Sequence, residues 1–171
     1  IFKPQKLVLG TIIQKIIDIS TSTATFKNIQ LNYIQSQDIE VYADENMLNT
    51  VLRNLINNAI KFTNNNGEIH IMVDIDINET KISITDNGIG IAAEHLHKVF
   101  DKLYRVPTGN LHDVKGFGLG LNYVKTIVTR HGGTVDVKSV LGKGSTFSIA
   151  FSAVYGLIIA AIFKSKTTYE Q

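Results

Sequence analysis

Eight apolar residues, Met47, Leu48, Val51, Leu52, Leu55, Ile56, Ala59 and Ile60, recur at the i, i+3, i+4, i+7 spacing of one helix face. A stripe this continuous must be covered by another layer of structure, so it fixes a helix packed on something apolar. Asp44 stands in front of it as an N-cap, and Asn64, Asn65, Asn66 and Gly67 close it with turn chemistry. The covering layer follows at once. Ile69, Ile71, Val73, Ile75 and Ile77 alternate strictly, the mark of a half-buried strand. Asn78 and Glu79 turn the chain, and Ile82 and Ile84 alternate again toward Asp86, which predicts a hairpin.

Leu9, Ile12, Ile13, Ile16 and Ile17 repeat the helical spacing near the start. Two brief strands are expected next, over Ile29, Leu31 and Tyr33 and over Ile39, Val41 and Ala43, paired with each other. A short helical stretch falls near 94–100, and residues 101–116 have no period at all. Aperiodic runs of this length inside a compact domain are usually lids or binding loops. A helix is expected from about Leu119 to Arg130, stopped at Gly132, then strands around Val135 and Val137 and around Phe147, Ile149 and Phe151. This order is not the strand–helix alternation of a doubly wound fold. It predicts an α/β two-layer sandwich: a mixed, mostly antiparallel sheet of about five strands, with three helices on one face and a long lid.

Composition sets the outer bounds. At 171 residues the chain suits one domain, against roughly 150 residues per domain. A 44% hydrophobic and 19% charged composition supports an ordinary core and excludes disorder. With no cysteine, thiolate metal sites and cysteine nucleophiles are out. A net charge of +2 is too mild to argue for nucleic acid. No apolar run reaches the ~18 residues that span a bilayer. The first residue is Ile1 rather than Met, so a fragment of a longer chain is expected.

Function is sought in the glycines, because ten of the 13 fall between Gly88 and Gly144. Asp86-Asn87-Gly88-Ile89-Gly90 follows a strand, and Gly116-Phe117-Gly118-Leu119-Gly120 opens a helix. Glycine-rich backbone before a helix N-terminus offers unpaired N–H groups and the positive end of the helix dipole, which suits phosphate. It is neither a Walker loop nor a dinucleotide fingerprint. On the polar face of the long helix, Asn54, Asn58 and Lys61 lie within about 60° of arc, with Asn57 at the edge. Alone, such a face is an ordinary solvated helix surface; beside the two glycine clusters it becomes a candidate site.

These residues carry a resemblance. Asn54-Leu-Ile-Asn57-Asn58-Ala-Ile-Lys61-Phe62-Thr63 resembles the N box of sensor histidine kinases, and Asp86-Asn-Gly88-Ile-Gly90-Ile91 their G1 box. Phe100-Asp-Lys-Leu-Tyr104-Arg105 is similar to the F box, and Lys115-Gly-Phe-Gly-Leu-Gly120-Leu to the G2 box. All four stand in the family's order. Leu103 departs from the second aromatic of the F box, and Phe117 from the small polar residue usual in the G2 box.

The resemblance implies the ATP-binding catalytic domain of a two-component histidine kinase, with the Bergerat-type (GHKL) fold shared with gyrase, MutL repair proteins and heat-shock chaperones. It implies ATP and Mg²⁺ as cofactors. Asp86 would accept from the exocyclic amine of adenine, with Gly88, Gly90 and Ile91 passing close to the base and Phe62 walling its pocket. Asn58 would bind Mg²⁺ through its amide oxygen. Asn54 and Lys61 would meet phosphate oxygens, and Gly116, Gly118, Leu119 and Gly120 would wrap the phosphates. Arg105 would reach the γ-phosphate from the lid. Thr146 is expected to hydrogen-bond beside Asp86.

Related ATPases carry a glutamate base four residues before the magnesium asparagine. Here that position is Asn54, which takes no proton at neutral pH. The family instead delivers the γ-phosphoryl to a histidine on a separate dimerisation domain. His70, His95, His97, His112 and His131 lack that acceptor setting and read as surface or structural. The implied partners are the parent's own dimerisation domain and a cognate response regulator, with this piece monomeric, cytoplasmic and its parent anchored in the inner membrane. A stand-alone ATPase, an anti-sigma-type serine kinase and a nucleotide-free interaction module are the competing readings. The expected domain covers residues 1–152, followed by an apolar, then polar, tail over 153–171 without an assigned role.

Overall fold

The computed structural model describes residues 1–34, 39–108 and 118–153. Its elements are β1 (Pro4–Val8), α1 (Leu9–Phe26), β2 (Gln30–Ile34), β3 (Glu40–Asp44), α2 (Glu45–Phe62), β4 (Glu68–Ile75), β5 (Glu79–Asp86), α3 (Ala93–Leu96), α4 (Gly120–Arg130), β6 (Thr134–Val140) and β7 (Gly144–Ser152). Asp44 caps α2 as its position suggests, accepting from the Met47 N–H at 3.1 Å. Leu48, Val51, Leu52, Leu55, Ile56, Ala59 and Ile60 are all buried. At about 1.5–3 kcal/mol for each large side chain taken from water, that stripe is what keeps α2 on the sheet.

The main sheet has the order β2-β4-β5-β7-β6, with β2 and β4 parallel and every other pair antiparallel. Ile69 and Ile71 on β4, Ile82 and Ile84 on β5 and Ile149 on β7 are buried beneath α1, α2 and α4. The two-layer sandwich expected from periodicity is present. One pairing is not as expected. β2 and β3 do not pair with each other: β2 joins the main sheet beside β4, and β3 forms a separate two-stranded sheet with β1.

The reason lies in what each strand must cover. Leu31 and Tyr33 come into register with Ile69 and Ile71, extending the buried face, and a parallel neighbour needs a long crossover, which β3 and α2 supply. Strand β1 escapes sequence reading because its burial does not alternate. Only Pro4 and Leu7 point inward.

His131, expected to be surface or structural, is a buried junction between the small sheet, the main sheet and the end of α4. Its Nδ1–H donates to the Ile127 carbonyl at 2.8 Å, and its Nε2 accepts the Asp44 N–H at 3.0 Å. Phe2 and Phe151 pack edge-on against the ring, at 4.9 and 5.9 Å between centroids. Burial holds its pKa below the usual 6.5, despite the Ile127 carbonyl and the Asp44 carboxylate, which pull the other way.

The unfolded chain therefore takes up a proton on this ring before the folded one does. Stability is present above pH 6.5 and is lost as pH falls toward the depressed folded value. Melting temperature is expected to drop on acidification through that window, and His131→Gln, which titrates nothing, should flatten the drop. An unchanged slope in His131→Gln would place the acid sensitivity elsewhere.

Candidate nucleotide site

A cavity of about 530 Å³ opens between α2, the end of β5, the segment after α3 and the start of α4. Its inner end is apolar, walled by Ile89, Ile91, Val99, Leu121 and Phe147. Its outer end is polar, with Asn54, Asn57, Asn58, Lys61 and Arg105. Asp86 stands at the inner end, where β5 stops. It is only 6% exposed, and burial raises its pKa above the usual carboxylate value. The N–H groups of Gly88 and Ser145 oppose that rise by donating to it, the Gly88 bond being 2.9 Å. A buried carboxylate with acceptor capacity facing a cavity is a recognition group for a ligand N–H donor.

Of the first glycine cluster, Gly88 and Gly90 are packed against main chain, and Gly90 also lines the cavity. A Cβ on Gly88 would stand 2.2 Å from the Phe62 carbonyl oxygen, and one on Gly90 would stand 2.0 Å from that of Val140. These glycines let the loop after β5 lie against main chain: Ile89 donates to the Phe62 carbonyl at 3.1 Å, and Gly142 donates to the Ile89 carbonyl at 2.7 Å. Ile91 is fixed by its N–H on Ser139 Oγ at 2.8 Å, and its side of the loop lines the cavity.

Thr146 hydrogen-bonds beside Asp86 on the neighbouring strand, as expected. Its hydroxyl lies 2.9 Å from that of Thr85 and does not bond Asp86. Strand alternation decides this: Phe147 and Ser145 face the cavity, so Thr146 faces the opposite side of the sheet. Ser145, in register with Asp86, is the residue that sequence reading missed. The inward phase of Phe147, Ile149 and Phe151 already carried the signal.

The C-terminal turn of α2 presents Lys61 and Phe62. Lys27 Nζ donates to the carbonyls of Ile60, Lys61 and Thr63, a cation capping the negative end of the helix. Nothing in the local sequence announces that contact. Phe62 lines the cavity, and Lys61 Nζ sits 5.3 Å from its ring centroid. Burial lowers the Lys61 pKa, and the nearby Arg105 charge lowers it further. Arg105 thus faces the same space as Lys61, as expected for two cations converging on an anion.

Asn54 donates through Nδ2 to the Thr50 carbonyl at 2.8 Å, and its Oδ1 is 2.7 Å from where a Gly120 Cβ would stand. Glycine at 120 therefore lets α4 start directly against α2. Leu119 caps α4 without a side-chain bond, so the first N–H groups of α4 look onto the cavity beside Gly118 and Gly120. Gly118 has φ +69 and abuts the backbone of Leu103 and Tyr104. Gly116, Phe117 and His112 lie outside the described residues, as does most of the tail, from residue 154 onward.

Mg²⁺ can be tested against this donor set. Among the described residues no cluster of three or more His, Asp or Glu could hold a metal. Half-buried amide oxygens at the polar end suit a hard cation that brings its own oxygen ligands, and do not suit a protein-caged one. Asn58 fits Mg²⁺ carried in with phosphates.

A strand-end carboxylate in an apolar recess, opening onto amides, two cations and a helix N-terminus, defines a nucleotide-binding α/β domain. Comparison with known proteins takes this further. The model of the histidine kinase-, DNA gyrase B-, and HSP90-like ATPase family matches residues 43–154. Sensor protein RprX of Bacteroides fragilis (strain YCH46) is 50% identical over 112 residues, 64% of this chain and 22% of its own length. Sensor protein SrrB of Staphylococcus aureus (strain MRSA252) is 43% identical over 122 residues, 71% of this chain and 21% of its own.

Among solved structures, the nucleotide-free catalytic domain of histidine kinase ThkA superposes with a TM-score of 0.78 at 25% identity, covering 88% of this chain and 95% of that one. Full-length ShkA in complex with AMPPNP gives 0.77 at 26% identity, over 88% of this chain and 31% of that one. The chain belongs to the histidine kinase-, DNA gyrase B-, and HSP90-like ATPase family. It spans about a fifth of the length of the curated relatives it matches. No helix among the described residues is long and apolar enough to cross a membrane.

Proposed function

We propose that the chain binds Mg·ATP in this cavity and presents the γ-phosphoryl for transfer to a histidine on the dimerisation domain of its parent protein. The observation that carries this is the pairing of a buried adenine-type acceptor, Asp86, with a cationic outer end that, among the described residues, includes no carboxylate base. In this reading adenine enters the apolar recess with its exocyclic amine on Asp86, and Phe62 covers it. Guanine would bring a carbonyl to that carboxylate and be rejected. Lys61, Arg105 and the opening N–H groups of α4 take the phosphates. The AMPPNP held by full-length ShkA is in keeping with this use of the fold.

Asn58 is the residue that would hold Mg²⁺. When bound, the metal neutralises charge on the phosphate oxygens. Asn54 modifies the expectation from sequence: one amide proton is committed to Thr50, and its oxygen is turned toward α4, so its acceptor side suits the metal or a water better than a phosphate oxygen. In neither orientation does it remove a proton from water, which is why transfer is favoured over hydrolysis. The catalytic unit in this reading is residues 1–152. Its partners are the parent's dimerisation domain, supplying the acceptor histidine, and a cognate response regulator, all on the cytoplasmic side of a membrane-anchored parent. The piece itself is monomeric.

Titration with ATP is expected to show binding that strengthens with Mg²⁺, alongside very slow turnover. Adding the parent's helical hairpin should then yield phosphohistidine, slowly, since an untethered hairpin lacks the effective concentration of a linked one. Brisk hydrolysis by the domain alone, lost on mutating Asn54, would replace this reading with that of an ATPase.

A further inference from the structure

Arg105 lines the cavity beside Lys61, whose pKa its charge lowers. The segment that carries it, from Asp101 to Thr108, has no helix or strand to fix it. Its backbone is pinned at two points. The Leu103 N–H donates to the Gly118 carbonyl at 2.9 Å, and the Tyr104 N–H donates to that of Asp101 at 3.2 Å. Leu103 adopts φ +64, so the chain turns sharply just before Tyr104 and Arg105. Leu103 itself is 64% exposed and anchors nothing by burial.

The side-chain anchor is one residue further on. Tyr104 Oη lies 2.6 Å from His95 Nδ1, which belongs to α3. The two rings are tilted at 43° with centroids 6.2 Å apart, and Lys98 Nζ sits 6.0 Å from the tyrosine ring centroid. Glu94 Oε1 is 3.5 Å from the far nitrogen of the imidazole. Tyr104 and Arg105 both line the cavity, whereas His95 does not.

The geometry points to His95 as a positioning residue for the phosphate end of the site: by holding the Tyr104 hydroxyl, it sets the stretch of chain from which Arg105 reaches the terminal phosphate. This rests on the proposed role of Arg105 as the γ-phosphate contact. His95 touches neither nucleotide nor metal, so its effect should be confined to what Arg105 touches. ADP, which lacks the γ-phosphate, is the internal control.

The test compares Mg·ATP and Mg·ADP affinities of the 171-residue chain by titration calorimetry in His95→Phe, Tyr104→Phe, His95→Asn and Arg105→Ala. Loss of one hydrogen bond is expected to weaken ATP about fivefold in His95→Phe and in Tyr104→Phe, with ADP unchanged. The double variant should be no worse than either single one, since both remove the same contact. His95→Asn, whose amide nitrogen can stand near the place of Nδ1, should recover most of the loss. Unchanged ADP affinity also reports that each variant is folded. An equal loss for ATP and ADP would reduce His95 to a general structural role and overturn the inference. So would wild-type ATP affinity in His95→Phe while Arg105→Ala is impaired. If Arg105→Ala leaves the ATP to ADP ratio untouched, the γ-phosphate assignment itself fails, and the inference falls with it.

Discussion

Asp86→Asn is expected to weaken ATP binding at least tenfold, with about 1.5–3 kcal/mol lost as a charge-assisted acceptor becomes a neutral amide. The structure makes the loss more than a change of charge. The carboxylate already accepts the N–H groups of Gly88 and Ser145, so an amide there must set its own NH₂ against a backbone donor or against the ligand amine. Titration calorimetry with ATP measures the effect, and a melting curve checks that the fold survives. Affinity equal to wild type would remove Asp86 from base recognition.

The same residue predicts opposing responses to acid. Its pKa in the free protein is raised by burial, so ATP affinity should fall as pH drops through that raised value, earlier than for an ordinary carboxylate, because the acceptor charge is lost there. The folded state binds the proton more readily than the unfolded chain. Its contribution to stability therefore improves as pH falls from the raised value toward the unfolded 3.8, opposite in sign to that of His131.

Asn58→Ala should abolish phosphoryl transfer to the hairpin, at least to the level seen in wild type after Mg²⁺ is chelated. In the proposed reading, removal of the amide oxygen would take away the protein ligand that fixes the metal relative to the phosphates, and positioned phosphates are most of what a phosphoryl-transfer site provides. Side-chain truncation on a half-buried polar face leaves the apolar stripe of α2 intact, so stability should change little. The diagnostic result is a loss of the Mg²⁺-dependent part of ATP binding, with metal-free binding retained. Transfer at wild-type rate in Asn58→Ala would exclude the residue from the metal site.

Much of this architecture was legible because its elements carry strong periods. The α2 stripe, the alternation through Ile69 and Ile71, and the Asp44 cap are local signals, and each is where the sequence puts it. The pairing of β2 was not legible, since edge-to-edge choice depends on which buried surface lacks a neighbour and that surface is built by residues some forty positions away. Helix geometry put the α2 side chains of the site on one face, and the two glycine clusters made that face a candidate. Ser145 was missed because a one-residue shift along a strand exchanges faces, and the register of β7 against β5 was not in view. The main-chain contacts of Gly88 and Gly90 were not legible for another reason: glycine records close approach without naming what approaches, and here the neighbours include the carbonyls of Phe62 and Val140. His95 could not have been found without the fold, because only the turn at Leu103 brings Tyr104 back onto α3.

The position of β7 bears on how the domain comes into being. It is the last of the described strands in the chain and yet lies inside the sheet, between β5 and β6, where it furnishes Ser145 and Phe147 to the cavity. During synthesis, everything up to Val140 can emerge from the ribosome with β5 lacking its partner and the recess lacking one wall. Nascent chains therefore have no finished pocket until the final strand inserts, and ATP cannot act as a folding template before then. Closing the sheet means joining Glu79 to Ser152, a separation that makes the event slow by the standards of local hairpins. Until it closes, β5 offers an open edge of the kind on which chains aggregate. The vulnerable interval in the life of this domain is thus the one before Gly144–Ser152 pairs with β5.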